Sequence, residues 1–302
     1  MRFGGVSAPW GHRPRGFTHP ERLLSSMTSE APDEKAWGGI APGYDDLVTP
    51  INMVVAERAL QRVGLRVGTR LLDVAAGSGA LSIPAARAGA HVLATDLAPT
   101  MVERLQARAR AAGLTNLQAR AMDGTALDVD DGSFDLVASQ HGVTLFPDMA
   151  RGLQEMVRAT RPGGKVMLVN FGPLQDTEFV NVFMRAVKAA VPGAPVPTPD
   201  APPLPFQASD PAVLRQRLAD AGLVDVQVQT FQEQATFASA EDYWRTLATS
   251  NPIGTALARQ LSKEQRAQAM KALETLMAPR SDGKGGFRLV SAFNVGVGTK
   301  PA

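Results

Sequence analysis

A short apolar run that ends in a turn of small residues constrains the fold of this chain more than any other feature of its sequence. The run at 70–74 reads as a buried strand, and Ala75, Gly77 and Gly79 supply small residues directly after it. Small residues let the backbone approach a ligand, and the helix expected after the turn offers unpaired N–H groups at its N-terminus. The turn therefore predicts a nucleotide-binding site.

Strands and helices alternate along the chain around this turn. Further strands are predicted at 91–95, 117–121, 134–139 and 165–171, and helices at 44–63, 79–88, 99–112 and 148–160. Five strands separated by helices imply an α/β fold with a parallel, doubly wound sheet and right-handed crossovers. The later part of the chain predicts helices at 176–190, 210–221 and within 241–278, and strands beginning at Val224 and spanning 287–299.

Composition excludes several classes of function. The chain has no cysteine, which excludes disulfides, thiolate metal sites and cysteine nucleophiles and favours a cytoplasmic protein. The formal net charge of +2 is already present in residues 1–30, so no basic stripe indicates nucleic-acid binding. No apolar segment reaches the length of a membrane-spanning helix, and no His–carboxylate cluster has metal-ligand spacing. We expect no nucleic-acid partner, no stable membrane insertion and no metal.

The second predicted strand is followed by Asp96, 19 residues after Gly77. A carboxylate at this position can accept hydrogen bonds from both hydroxyls of a ribose. A dinucleotide fingerprint would have a third glycine where this chain has Ser82, so an NAD(P)-dependent oxidoreductase is disfavoured and stays open as an alternative.

Five segments, taken in order, resemble the motifs of class I S-adenosylmethionine (SAM)-dependent methyltransferases. They lie at 73–79, 95–101, 121–127, 132–137 and 161–165. Alanine replaces the first glycine of the first motif, and the most similar branch is the UbiE-like one that acts on small molecules. The resemblance implies an enzyme with SAM as cofactor. It also implies a Rossmann-like, doubly wound, mostly parallel seven-stranded sheet with a helical lid.

The resemblance divides the chain into segments. Residues 1–36, which are rich in Gly, Pro and Arg at their start, are expected to be a disordered basic extension. The first residue translated is either Met1 or Met27. The remainder is expected to comprise an N-terminal helical lid segment at 37–70, a SAM-binding core at 71–172, a lid helix and proline-rich connector at 173–209, and the rest of the sheet at 210–302 with lid helices inserted at about 239–280.

The resemblance assigns the methionine and ribose portions of SAM to the first two motifs. Asp73 and Gly77 would line the methionine portion, with Ala75 and Gly79 as the other small positions of the turn. Asp96 would bind the ribose hydroxyls. Leu97, the next residue, would pack on the adenine. An alternative for Asp73 is a purely structural cap of the adjacent turn.

The remaining cofactor contacts are expected beside the adenine and the sulfonium. Asp123 would accept from the adenine amino group, and the Gly124 N–H would meet a ring nitrogen. Ser139 and Gln140 would lie beside the sulfonium, and Tyr44 would belong to a helix that closes over SAM. A turn role for Asp123 and plain packing for Tyr44 are the alternatives.

His141 is the candidate catalytic base, because it follows the fourth strand at the edge where doubly wound sheets bind ligands. A pocket-lining role is its alternative. Five lid aromatics are expected to line the acceptor site or to pack the lid: Phe179, Phe183, Phe206, Tyr243 and Trp244.

The function expected is SAM-dependent methyl transfer by in-line displacement to a small, apolar or aromatic acceptor. The alternatives are the oxidoreductase and a non-catalytic SAM-binding protein. The sequence leaves the methylated atom and the oligomeric state open, with a homodimer as one option.

Overall fold

The computed structural model describes residues 33–192 and 203–302, apart from 282, 284 and 285. The predicted extension up to residue 32 and most of the proline-rich connector lie outside the described residues. Within them, seven strands form one sheet: β1 (Arg70–Val74), β2 (His91–Asp96), β3 (Leu117–Ala121), β4 (Phe134–Gln140), β5 (Thr160–Phe171), β6 (Val224–Phe237) and β7 (Phe287–Thr299).

The strands are ordered β3-β2-β1-β4-β5-β7-β6, and β7 is antiparallel to both of its neighbours. The other four strand pairs are parallel. This arrangement confirms the predicted α/β fold with a doubly wound, mostly parallel, seven-stranded sheet. The strand order reverses between β1 and β4, which is where such sheets bind ligands.

The helices precede, connect and follow the strands. They are α1 (Glu34–Gly43), a π-helical turn (Tyr44–Val48), α2 (Thr49–Val63), α3 (Ser82–Arg87), α4 (Pro99–Ala111), α5 (Met149–Ala159), α6 (Glu178–Ala190), α7 (Pro211–Asp220), α8 (Ala240–Ser250), α9 (Pro252–Gln260) and α10 (Lys263–Met277). The connection from β3 to β4 contains no helix.

Two helices differ from the sequence prediction. The first predicted helix begins at 44, whereas the structure has the further helix α1 from Glu34, where the Asp33 side chain accepts a hydrogen bond from the Ala36 N–H at 2.8 Å and caps the helix. The helix α3 begins at Ser82 rather than near residue 79, because Gly79 has a φ of +98°, outside the helical region.

Both faces of the sheet are covered by helices. Leu71 packs on one face in a cluster with side chains of α2, α3 and α4, and Leu72 packs on the other face with side chains of α5 and α7. Neighbouring residues of a strand point to opposite faces, so a strand buried on both faces reads as a continuous apolar run.

A third apolar cluster joins two helical insertions, one between β5 and β6 and the other between β6 and β7. It contains Phe183 of α6, Trp244 of α8, Leu273 of α10 and Leu289 of β7. The helices inserted after β5 and after β6 therefore pack together. The strands β6 and β7 also continue beyond the end of β5, since β5 ends where Phe171 pairs with Phe293 and β7 pairs with β6 as far back as Phe287.

Candidate functional site

The turn after β1 has the backbone conformation that its small residues allow. Ala75, Gly77 and Gly79 have φ values of +57°, +56° and +98°. A Cβ added to Gly79 would lie 2.9 Å from Cγ of Leu105, so a side chain there would meet the core as well as backbone strain. The turn is thus closely packed on the side that faces the core at Leu105.

Asp96 fixes this turn from the end of β2. Its Oδ2 accepts a hydrogen bond from the Gly77 N–H at 2.8 Å, and its Oδ1 accepts one from the Ala98 N–H at 2.9 Å. Burial raises the pKa of Asp96, and the two backbone hydrogen bonds oppose that rise. Each carboxylate oxygen retains acceptor capacity, so Asp96 can hold the turn and also bind a ligand.

Asp73 is buried beneath the turn. Its Oδ2 accepts a hydrogen bond from the Ser82 hydroxyl at 2.5 Å, and its Oδ1 has no partner. Burial, helped by the negative charge of Asp96, raises the pKa of Asp73 to about 7 against the opposing effect of the Ser82 hydrogen bonds. Ser82 stands where a dinucleotide fingerprint has glycine, and its hydroxyl is committed to this carboxyl.

A cavity of about 460 Å³, which we call cavity A, opens above the turn between β1 and β4. Its volume lies within the range of small-molecule sites. Eight of the eleven predicted cofactor-binding residues line it: Tyr44, Ala75, Gly77, Asp96, Leu97, Asp123, Gly124 and Gln140.

The other three predicted residues do not line cavity A. The Asp73 carboxyl faces Ser82, and Gly79 packs against Leu105. The Ser139 hydroxyl accepts a hydrogen bond from the Val143 N–H at 3.1 Å and so closes the turn after β4.

The walls of cavity A offer acceptors and an apolar surface. Gln140 donates from Nε2 to the Asn52 carbonyl at 2.9 Å, while its buried Oε1 has no partner. Leu97 is 46% exposed directly beside Asp96. Asp123 accepts hydrogen bonds through Oδ1 from the N–H and the hydroxyl of Thr125. These two bonds are the ones expected if Asp123 has a turn role. A cationic ligand with a flat ring suits this set of groups.

A second cavity of about 320 Å³, which we call cavity B, lies over the ends of β5 to β7, beneath α2 and the insertions. Apolar side chains dominate its lining, which includes Ile51, Phe171, Phe179, Leu247 and Phe293. Such a lining suits an apolar or ring-bearing ligand.

The five aromatic residues predicted for a lid divide between those that line a cavity and those that pack in the core. Phe179 lines cavity B, whereas Phe183, Tyr243 and Trp244 belong to the cluster of the insertions. Phe206 lines neither cavity and stacks on Phe171 with ring centroids 5.3 Å apart.

Sequence reasoning missed most of cavity B. Phe171 had a usable signal, because it ends a predicted strand at the ligand-binding edge of the sheet. Ile51, Glu233 and Phe293 had none, since their placement depends on helix packing and on the register of β6 against β7.

Four residues line both cavities: Trp37, Tyr44, His141 and Leu145. The His141 ring stacks on Phe171 at 4.4 Å, and its Nε2 is buried without a partner. Burial lowers the pKa of His141 to about 4, so its imidazole is neutral at pH 7. His141 thus presents an uncharged ring where the cavities meet.

Tyr44 covers the cavity A turn from the N-terminal segment. Its Cε1 would lie 3.5 Å from a Cβ added to Gly77, and its hydroxyl accepts from Asn52 Nδ2 at 3.3 Å. Burial raises the pKa of Tyr44 to about 12, and the Asn52 hydrogen bond opposes the rise. Tyr44 therefore stays a neutral phenol.

Polar contacts hold this N-terminal segment against the core. Asp45, next to Tyr44, pairs with Arg104 at 3.3 Å and with Arg108, both on α4. The hydroxyls of Thr49 and Ser78 are 2.6 Å apart, which joins α2 to the turn. These contacts place Tyr44 over cavity A.

Gly142 separates the turns after β1 and β4. A Cβ there would lie 2.4 Å from Cβ of Ala75 and 3.0 Å from Oγ of Ser139. We expect Gly142→Val to force the two turns apart and to lower the free energy of unfolding by about 1–3 kcal/mol. Urea unfolding followed by circular dichroism measures this. Gly39→Val is the matched control, since Gly39 also has a negative φ and nothing lies within 4 Å of a Cβ at its exposed position in α1, and this variant should lose much less stability.

No group of three or more His, Asp or Glu side chains that could hold a metal ion occurs in the described part of the chain. None of the helices in that part combines the length and apolarity needed to cross a membrane.

Comparison with known proteins places the core of the chain among methyltransferases. The family model described as a methyltransferase domain matches residues 72–168. The chain is 34% identical over 178 residues to the demethylmenaquinone methyltransferase of Renibacterium salmoninarum, and the match covers 55% of this chain and 73% of that enzyme.

Other similarities are narrower or confined to the fold. The chain is 44% identical over 138 residues to an uncharacterized protein of Mycobacterium tuberculosis, which covers 46% of this chain and 48% of that protein. The chain thus spans about half the length of such relatives. The crystal structure of YcgJ from Bacillus subtilis has the same fold, with a TM-score of 0.54 at 18% identity over 82% of this chain and 98% of that one.

Proposed function

Because this chain belongs to the UbiE-like family of SAM-dependent methyltransferases, we propose that it transfers a methyl group from SAM in cavity A to a small, apolar or aromatic acceptor in cavity B. The observation that carries this proposal is the junction of the two cavities at Trp37, Tyr44, His141 and Leu145. Two separate ligand sites that share one wall of side chains suit a reaction between two bound molecules.

The residues of cavity A fit the cofactor of the family. SAM supplies a methyl group on a positively charged sulfur, and the methyl leaves by in-line displacement. Asp96 would accept from the ribose hydroxyls, Leu97 would cover the adenine, and Asp123 would accept from the adenine amino group. The unpaired Oε1 of Gln140 is an acceptor for a cationic ligand, which supports this placement.

The residues at the junction would align the acceptor and exclude water. His141 and Phe171 form a stacked pair against which a ring can lie, and Tyr44 also lines the junction. The neutral His141 would accept a proton or a hydrogen bond at the reacting atom of the acceptor, as a phenol requires and an amine does not.

The relatives support a ring-bearing acceptor. Two of them are named demethylmenaquinone methyltransferases, at 34% and 38% identity over 178 and 124 residues. The apolar lining of cavity B agrees with that kind of acceptor. Family membership disfavours the oxidoreductase, whereas a non-catalytic SAM-binding protein has to be distinguished by a turnover assay.

Two measurements test the proposed function. Calorimetry with S-adenosylhomocysteine and with NADH should give binding of the first compound and no binding of the second. Incubation with SAM and a panel of phenols, quinols and amines should give at least one methylated product by mass spectrometry. Binding of S-adenosylhomocysteine without turnover of any ring compound would favour the non-catalytic alternative.

The affinity for SAM is expected to rise about tenfold between pH 6 and pH 8. Burial holds the pKa of Asp73 at about 7 in the free protein, so its carboxyl is largely protonated at pH 6 and ionised at pH 8. The ionised form attracts a cationic ligand. A carboxyl with a raised pKa also makes the unliganded protein less stable as pH rises from about 4 towards 7.

Calorimetry at pH 6, 7 and 8 measures this dependence. Asp96 is the other titratable group that shifts the pKa of Asp73, and Ser82 is its hydrogen-bond partner. Asp73→Asn cannot ionise at this position and should bind SAM with nearly the same affinity throughout the range. A wild-type affinity that does not change with pH would contradict the role of Asp73.

A further inference from the structure

The far wall of cavity B is a two-stranded ribbon. Beyond the end of β5 at Phe171, β6 and β7 pair with each other from Gln232–Ala292 to Phe237–Phe287. On its other edge β7 makes only single bridges among the described residues, from Ser291 to Thr177 and from Phe287 to Ser281. Within this ribbon Glu233 lies opposite Ser291, and both line cavity B.

Glu233 is a nearly buried carboxylate in a mostly apolar cavity. Its side chain is 13% exposed, and it lines cavity B but not cavity A. Burial of a carboxylate is costly unless hydrogen bonds or charges compensate it. Its one ionic partner among the described residues is Arg58 of α2, which contacts Oε1 and is itself 47% exposed.

Glu233 and His141 lie at different positions along cavity B. The His141 ring is 5.9 Å from the ring of Phe293, which pairs with Phe231. Glu233 and Ser291 are the next pair on the same face, two residues along each strand, which is about 7 Å further along the ribbon. A ligand whose reacting atom lies beside His141 would therefore direct its other end towards Glu233.

We propose that Glu233 binds a neutral hydroxyl group on the acceptor, at the end remote from the methylated atom. The inference rests on the proposed function for the identity of cavity B as the acceptor site. The substrate class is a ring compound with two polar ends: one is methylated beside His141, and the other donates a hydrogen bond to Glu233.

Charge and hydrogen bonding favour a hydroxyl over an amine at this position. Arg58 already supplies one positive charge to Glu233, so a second cation would be repelled by the guanidinium. The Ser291 hydroxyl oxygen accepts from the Phe179 N–H at 3.0 Å and does not pair with Glu233. A neutral donor from the ligand would satisfy the carboxylate without adding charge.

The test compares three probes that share one ring: 2-naphthol, 2,6-dihydroxynaphthalene and 6-(aminomethyl)-2-naphthol. Calorimetry in the presence of S-adenosylhomocysteine measures their dissociation constants. We expect the wild type to bind the dihydroxy probe about tenfold more tightly than 2-naphthol, as one hydrogen bond to a charged group allows. The ammonium probe should bind no more tightly than 2-naphthol.

Four variants assign any preference to Glu233. Glu233→Leu should abolish the preference for the dihydroxy probe, and Glu233→Gln, which keeps the size of the side chain, should reduce it to about threefold. Arg58→Gln removes the competing cation and should make the ammonium probe the tightest of the three. Glu241→Leu, at a surface position paired with Arg266, should behave as the wild type. Thermal melts report whether each variant folds.

The outcomes separate this inference from the proposed function. If the wild type and a folded Glu233→Gln variant show the same ratio of dissociation constants, the role of Glu233 is wrong even where naphthols are methylated. If the preference depends on Glu233 and no probe is methylated, the polar subsite stands and methyl transfer to ring compounds is in doubt. If none of the three probes binds the wild type, both the subsite and the ring-bearing acceptor are overturned.

Discussion

Asp96→Ala is expected to weaken SAM binding by at least about 100-fold. A carboxylate that accepts from two ribose hydroxyls makes two charge-assisted hydrogen bonds, each of which contributes about 1.5–3 kcal/mol. The substitution also removes the acceptors of the Gly77 and Ala98 N–H groups, so the turn itself loses its support. Calorimetry with SAM and with S-adenosylhomocysteine measures the loss, and both ligands should be affected equally because they share the ribose.

Two further variants separate the ligand contacts of Asp96 from its hold on the turn. Asp96→Asn keeps one acceptor oxygen for a backbone N–H, so the fold should be retained while ribose binding is still weakened. Asp128→Ala, at an exposed position outside both cavities, should leave the affinity unchanged. Wild-type affinity for SAM in folded Asp96→Ala would refute the role of Asp96.

His141→Ala is expected to lower turnover of a phenolic acceptor by about 100-fold, the lower end of general base catalysis. The affinity for SAM should change little, since the residues proposed to bind the cofactor, such as Asp96 and Asp123, are unaltered. Burial lowers the pKa of His141 to about 4. The neutral imidazole is therefore present throughout the physiological range, and turnover should lose the contribution of His141 only when pH falls through about 4.

A replacement that keeps the ring distinguishes chemistry from shape. His141→Phe retains stacking on Phe171 but has no nitrogen, so it should be as slow as His141→Ala if the imidazole accepts a proton. If His141→Phe turns over at the wild-type rate, His141 only lines the junction of the cavities. The pH–rate profile gives an independent readout: a loss of activity centred near pH 6.5 in the wild type would contradict a buried, neutral His141.

Local patterns explain why the cofactor side was predictable. The strand, the small residues of the turn and Asp96 at the end of the next strand follow one another within 30 residues, and the structure brings them together around cavity A. The absence of a third glycine at Ser82 was also informative, because the structure gives that hydroxyl to Asp73. Burial, however, leaves Asp73 beneath the cavity rather than in its wall.

Cavity B, the proposed acceptor site, depends on contacts between distant segments. Phe179 and Phe183 belong to the same helix, yet the first lines cavity B and the second packs against Trp244. The spacing of apolar residues in α6 does not show which other element packs against each face of the helix. The pKa of His141 is a similar case: its ordinary value suggested a base that titrates near neutrality, and only burial against Phe171 shows that the imidazole stays neutral.

The sequence by itself determined the alternation of strands and helices in the parallel part of the sheet, the turn that forms the floor of cavity A, and the bounds of β7 at 287–299. Strand and helix periodicities and turn residues are properties of neighbouring residues. The tertiary structure alone decided where cavity B lies. That cavity exists because β6 and β7 pair beyond the end of β5, and because α2 places Ile51 and Arg58 over this ribbon. The register of β6 on β7 joins residues at least 50 positions apart, such as Phe237 and Phe287, and the packing of α2 joins Arg58 to Glu233, 175 positions away. No local pattern in the chain specifies either contact.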